Sequence, residues 1–466
     1  MLGTRAGQRM FHAGPAGVPP AGFEPAHTAP EGMIGSLSNV PSSCANASRH
    51  LARWPSHTPL TRSVVSSRGA WAHNILLGRE SALRLICAST WDGGFSSHSV
   101  WSERDIHGLV LSALGEPLAY VPILKGKAGE FLALEHVTPA VRSCIRPVME
   151  LVPDPDVRDV LETFCDRAMD AVPQGAVLTV DSGALPTARV LEGDSGGPIA
   201  RLSESLGLRG VLMCPVVRCT DPRDVLAEVF QAIAAHQSGA CLRLSVGVDS
   251  LDPLPHCGQI RGLLRALHLD PEEVDLLIDA GPVDSSLACD RLADRALAAL
   301  KALSPWRWRR ECVASGAFPV NLTGFPRGQA TPVARRDAQL WRRVVSGCEE
   351  RPPDFGDFGV THPRMPVKSR GTPDPNMRYT TLEEWQVFVY PRVRAGNDDF
   401  FTLSTDLVDS SYWPVTGAQT SWGDARLKEC ATRQRPKAGG GAEWRAWATS
   451  HHLAMVTSSL TTLGRP

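Results

Sequence analysis

Residues 120–134 read YVPILKGKAGEFLAL. The run from Tyr120 to Leu124 is apolar and aromatic, the make-up of a buried strand, and it is stopped by Lys125 and Lys127 with a glycine between them. Gly129-Glu130 then opens a stretch of helix formers. A strand that ends in a lysine pair and passes at once into a helix starts a parallel α/β fold, because parallel neighbours need a crossover connection.

Working outward, the same rhythm recurs from Leu118 onward. Strands are expected at Ala119–Leu124, Ile145–Leu151, Ala176–Asp181, Gly210–Val217, Ala240–Val248, Val274–Asp279 and Phe318–Leu322, with an eighth at Trp385–Tyr390. Between them, Val157, Val160, Leu161, Phe164 and Ala168 form one helical stripe and Leu226, Val229, Phe230 and Ile233 another. Asp221-Pro222 and Asp270-Pro271 have the form of helix starts. No glycine-rich dinucleotide loop follows the first strand, so the count favours a (β/α)8 TIM-barrel-like domain over an open doubly wound sheet. Residues 116–350 are expected to carry strands one to seven. Residues 351–466, richer in Gly, Pro and aromatics, are expected to carry strand eight and a loop-rich C-terminal lobe over the barrel mouth, with Gly439-Gly440-Gly441 a loop inside it.

The chain has 466 residues, 43% of them hydrophobic, and a net charge of -1, so it can bury a large core and has no global field that steers it to nucleic acid or to an acidic membrane face. No apolar run approaches the roughly 20 residues needed to span a bilayer, and the first residues lack a secretory core. The 12 cysteines show neither C-x-x-C nor zinc spacing, although Cys214 and Cys219 are near neighbours; reduced thiols in a cytoplasmic protein are the expectation. Residues 1–115 are rich in Pro, Gly, Ser, Ala and Arg without periodicity and are expected to be disordered. Gly22-Phe23-Glu24-Pro25 is what the T-arm of a transfer-RNA gene would encode in this frame. We therefore expect the true start at a non-ATG codon near Val110 or Leu111, beside a tRNA gene.

In a barrel, reactive groups gather at the C-terminal ends of the strands. Those ends carry Lys125, Lys127, Glu150, Asp181, Arg218, Asp249, Asp279 and Asn321. Glu150, Asp181 and Asp279 are candidate acids, bases or ligands of a divalent metal, and Lys125 and Arg218 can hold a phosphate or carboxylate; capping and ion pairing are the plain alternative. Lys125 stands where alanine-racemase-like enzymes attach pyridoxal phosphate, but no Gly/Ser-rich phosphate cup appears near the last strands. Gly193–Pro198 spells GDSGGP, the nucleophile motif of trypsin-like proteases. Its flanks read strand, loop and helix, no upstream histidine has the required setting, and His256-Cys257 comes in the wrong chain order, which leaves a tight loop.

YVPILKGKAGE, RPVMELVP at Arg146–Pro153, Phe355–Gly359, Asn376–Thr380, Trp422-Gly423-Asp424 and His451-His452 resemble, in this order, segments of the phage-associated beta protein family. The resemblance spans about residues 118–460 and departs from the family at Gly126, where an aromatic is expected. It implies a prophage or defence-island protein acting between phage and host, without a known substrate. Arg378, Tyr379 and His451 join the ligand-binding candidates, one histidine facing the pocket as a proton carrier, since adjacent residues diverge and are poorly placed to share one metal; a structural histidine pair, and an anchor for the terminal lobe at Arg378-Tyr379, are the plain alternatives. Three classes follow: an enzyme on a phosphorylated substrate, nucleotide or nucleic acid; a non-catalytic sensor or adaptor; and a pyridoxal enzyme through Lys125. Expected partners are a small anionic ligand or nucleic acid and a protein from a neighbouring gene, with no membrane.

Overall fold

The computed structural model describes residues 118–185, 196–247, 257–349, 351–365, 374–391 and 397–466. The expectations for residues 1–115, for Asp249 and for Gly193-Asp194-Ser195 lie outside them.

Eight parallel strands close into a barrel: β1 (Tyr120–Lys125), β2 (Val148–Glu150), β3 (Val177–Asp181), β4 (Leu212–Val217), β5 (Ala240–Ser245), β6 (Val274–Pro282), β7 (Arg310–Gly316) and β9 (Asp354–Asp357), which pairs with both β7 and β1. Helices return the chain between them: α1 (Ala128–Glu135), α2 (Pro139–Cys144), α3 (Val157–Ala171), α4 (Pro198–Leu208), α5 (Arg223–His236), α6 (Cys257–Leu267), α7 (Ser286–Leu303) and α8 (Arg336–Ser346). Strand alternation divides the apolar residues. Tyr120, Leu124, Leu178, Val180, Leu242 and Leu244 pack outward on the helices, while Val121, Ile123, Val148, Cys214, Val216, Cys241, Leu277 and Cys312 fill the interior. The first six strands and the stripes on α3 and α5 lie where the apolar runs place them. Asp221-Pro222 sits one step earlier than expected, Pro222 being the N-cap of α5, and Asp270-Pro271 opens a single 3-10 turn that feeds β6 directly.

The last two barrel strands differ from expectation. Phe318–Leu322 is loop, and the seventh strand is Arg310–Gly316, whose inward residues Cys312 and Ala314 are small because Gly356 of β9 lies against them: a Cβ there would stand 2.7 Å from that of Ala314. The eighth is Asp354–Asp357, reading DFGD. Its carboxylates are buried but satisfied, Asp354 by the Ala119 N–H at 2.9 Å and Arg310 at 3.2 Å, so no apolar run marks it. The apolar segment at Trp385–Tyr390 instead supplies β11 (Glu384–Val389), the centre of an antiparallel sheet between β8 (Gln329–Ala334) and β10 (Asn376–Thr380). This sheet and helices α9 (Asp399–Val408), α10 (Trp422–Ala431) and α11 (Gly441–Leu463) share a second core around Trp385, Phe400 and Trp447. The 23-residue α11 is buried over much of its circumference, with Trp444, Trp447, His451, His452 and Val456 on different faces, which removes the amphipathic period that would announce it.

Ten cysteines fall among the described residues and all are free. Burial pushes the thiol of Cys214, inside the barrel, up to about 11, which makes it inert. Among the described residues no helix is long and apolar enough to cross a membrane.

Candidate functional site

At the C-terminal ends of the strands the register sets Lys125 beside Glu150 and Glu150 beside Asp181, three charged side chains in one row. Lys125 Nζ donates to Glu150 Oε2 and, at 2.8 Å, to the Pro363 carbonyl. Across the barrel Arg243 rises from mid-β5 and ties the row together. Its Nη1 donates to Glu150 at 2.8 Å and to Asp181 at 2.6 Å, and its Nη2 and Nε reach Asp279 at 2.6 and 3.0 Å. Arg218, half-buried after β4, closes on Asp181 at 2.6 Å. Three cations thus face three carboxylates. Lys125 is 2% exposed and Arg243 8%, with the Phe358 ring 5.3 and 5.8 Å from their charges.

The balance sets the ionisation states. Burial alone would raise the Asp181 carboxyl, but Arg218 and then Arg243 outweigh it and hold the group well below the usual carboxylate range. Burial likewise disfavours the Arg243 charge, and Asp279, Asp181 and Glu150 more than restore it. The three carboxylates converge on a guanidinium rather than on one another. Arg243 therefore occupies the position that the sequence reading left for a divalent metal, and among the described residues no group of three His, Cys, Asp or Glu could hold a metal ion.

Beside this layer lies a second charge cluster. Arg378 on β10 and Arg445 on α11 both donate to the Val360 carbonyl, at 2.6 and 3.2 Å, and Lys127 stands exposed at the N-cap of α1. Among the described residues its one carboxylate is Glu130, in the first turn of α1, which burial pushes upward.

Tyr379 and His451 are buried and held together. Their rings stack at 3.8 Å, and both bond Asp424 of α10, the Tyr379 hydroxyl at 2.8 Å and His451 Nδ1 at 2.9 Å. Burial opposes the His451 charge, but Asp424 outweighs it and raises the imidazole above its ordinary value. His452 points elsewhere, Nε2 to Asp357 at 2.8 Å and Nδ1 to Thr380 at 2.8 Å, so the pair diverges as expected on a helix. Asn321, no longer at a strand end, is exposed and accepts from the Thr323 N–H at 2.9 Å. The end of GDSGGP starts α4: Gly197, Ile199 and Ala200 donate their N–H groups to Glu228 at 2.9–3.1 Å, so these amides form a capped helix start. A cleft of about 530 Å³ opens at the opposite end of the barrel, among Arg142, Arg146, Ser238, Asp275 and Arg309. Arg309 and Asp275 are paired there at 2.7 and 2.8 Å.

A family model described as Beta protein matches residues 120–458, from β1 through the histidine pair to α11. The chain belongs to the Beta protein family. The match takes in every residue of both charge clusters. No curated protein matches. Solved structures to which this family member is similar include an alanine racemase of Clostridium difficile 630 (9% identity, TM-score 0.28, covering 54% of this chain and 53% of that one). A putative fructose-1,6-biphosphate aldolase from Coccidioides immitis is 11% identical with TM-score 0.33, covering 78% and 98%, and a putative lyase/mutase from Burkholderia cenocepacia J2315 is 14% identical with TM-score 0.28, covering 55% and 83%. The chain thus spans about half the length of that racemase.

Arg243, Glu130 and Arg445 were not among the residues expected from sequence. Arg243 could have been found: it is the one charge inside the apolar run ACLRLSV and falls on the inward parity of β5. Glu130 and Arg445 carry no comparable signal, because their meeting depends on α11 packing across α1.

Proposed function

We propose that this Beta protein family member binds a small anionic, preferably phosphorylated, ligand at the C-terminal mouth of its barrel, with Lys125 and Glu150 as the groups that meet it. The observation that carries this reading is the interlocked layer of Lys125, Glu150, Asp181, Arg218, Arg243 and Asp279 at the strand ends. Parallel barrels place their chemistry at that end, and paired charges are otherwise costly to bury. Lys125 and Glu150, already sharing a proton-bearing contact, suit proton transfer to and from a ligand that separates them; Arg243 holds Glu150 and Asp279 in place, and Arg218 holds Asp181. The setting we propose, between phage and host, rests on the family.

Non-catalytic recognition is the second reading. It is favoured by the closure of the layer, in which Lys125, Glu150, Arg243 and Asp279 are all 8% exposed or less. A pyridoxal role for Lys125 fits less well, since its amine donates to a carboxylate and a carbonyl and is not free to attack an aldehyde in this conformation.

A thermal-shift screen against nucleotides, short DNA and RNA, divalent metals and pyridoxal phosphate tests the proposal. A ligand at a hundred times its dissociation constant adds about 2.7 kcal/mol. We expect a phosphorylated compound to stabilise the wild type and to lose that effect in Glu150→Gln. Turnover by the wild type would establish the enzyme, binding without turnover the sensor, and a shift retained in Glu150→Gln would move the ligand away from the layer.

A further inference from the structure

We infer that Lys127, Arg378 and Arg445 form the seat of the ligand's phosphate group, beside the strand-end layer and not within it; the inference rests on the mouth reading above. Among the described residues the strand-end layer pairs three cations with three carboxylates. The neighbouring cluster has, among the described residues, three cations and one carboxylate, Glu130.

The geometry is built. Gly129 lets α1 press against the start of α11: a Cβ there would stand 2.6 Å from the Ala442 carbonyl oxygen and 2.9 Å from Arg445 Cβ. This brings Arg445 to the first turn of α1, where Lys127 and Glu130 are. Arg378 arrives from β10 with its guanidinium 4.5 Å from the centre of the Phe318 ring, which sets its plane. One Nη1 of each arginine shares the Val360 carbonyl, and the remaining N–H groups of two guanidiniums anchored at a single oxygen form a fork of the kind that takes phosphate. The Nε of Arg378 and one oxygen of Glu130 are buried with no hydrogen-bond partner among the described residues.

Such an arrangement concentrates like charge. Burial disfavours the charged form of Arg378 and Arg445, and they repel one another, with Glu130 opposing among the described residues. A phosphate dianion brings negative charge to this cluster and accepts hydrogen bonds from guanidinium N–H groups. Only Gly126 separates Lys127 from Lys125, and the stretch that holds the arginines through Val360 holds Lys125 through Pro363, so a ligand seated here directs its other end at the Lys125–Glu150 pair.

Calorimetric titration of the full chain with inorganic phosphate and with adenosine monophosphate tests this. Lys127→Gln, at an exposed position, and Arg445→Gln should each raise the Kd for phosphate by about tenfold, more than Arg218→Gln does. A Kd for adenosine monophosphate well below that for phosphate identifies an esterified phosphate, and equal values identify the free ion; both support the seat. Unchanged Kd in Lys127→Gln and Arg445→Gln with a raised Kd in Arg218→Gln would place the anion in the strand-end layer, overturning the seat and sparing the mouth reading. Absence of binding heat with the wild type would also overturn the seat, leaving the mouth reading to the ligand screen with Glu150→Gln.

Discussion

Arg243→Met is expected to destabilise the folded chain by about 3–5 kcal/mol at neutral pH, the cost of breaking a buried ion pair from one side. The side chains are of similar length, so packing changes little, and the loss is electrostatic: Glu150, Asp181 and Asp279 all lose the donor on which they converge. The sign with pH follows from Asp181. In the wild type its folded pKa is depressed, so it contributes stability that is present above the unfolded carboxylate value of about 3.9 and is lost as pH falls through the lower folded value. Removing Arg243 takes away part of that contribution and leaves buried carboxylates that gain by protonation. The difference between wild type and variant should therefore be largest near neutrality and narrow toward pH 4. Urea unfolding at several pH values measures it. A difference under about 1 kcal/mol, or one that is flat with pH, would show that the layer is not held by Arg243.

Asp357→Ala should have an effect of similar size for a different reason. Asp357 ends the barrel's closing strand with its side chain on the outer face, where it accepts from the Tyr120 hydroxyl at 2.6 Å, the Gly359 N–H at 2.8 Å and His452 of α11 at 2.8 Å. Burial would raise this carboxyl, but the charge of His452 and its hydrogen bond outweigh it, with Arg335 adding to the effect. One residue thus joins β1, β9, the turn toward the mouth and the long helix of the lobe. Alanine leaves those donors buried without an acceptor, about 1–3 kcal/mol for each that finds no water, and a total near 3–5 kcal/mol is expected. Because the lost bonds connect α11 to the barrel, the lobe should become cleavable by protease before the barrel does. Equal resistance of both halves in the variant would contradict this role.

The barrel and much of the charged layer are legible in the sequence for one physical reason. Strands buried on both faces read as apolar runs, and the first charge after each run marks the strand end, which is how Lys125, Glu150, Asp181 and Asp279 became visible. The same rule failed where the physics differs. DFGD is a buried strand whose polar groups find partners far away in sequence, and β7 is lined with small residues by the close approach of Gly356. Helix α11 has no polar face to supply a period. Arg243 interrupts a run and does not end it. Tyr379 and His451, read as ligand-binding candidates, are partners of Asp424, a pairing that the packing of α10 against α11 creates. The arginine pair at Val360 joins residues 67 positions apart on β10 and α11, and no local pattern brings them together.

Crystals of the full chain soaked in selenate, a phosphate-sized anion located by its anomalous signal, would show whether an anion binds at the C-terminal mouth. The account predicts one dominant peak within hydrogen-bond distance of the Arg378 and Arg445 guanidiniums, near Lys127. A dominant peak among Arg142, Arg146 and Arg309 in the cleft at the opposite end, with none at the mouth, would contradict it.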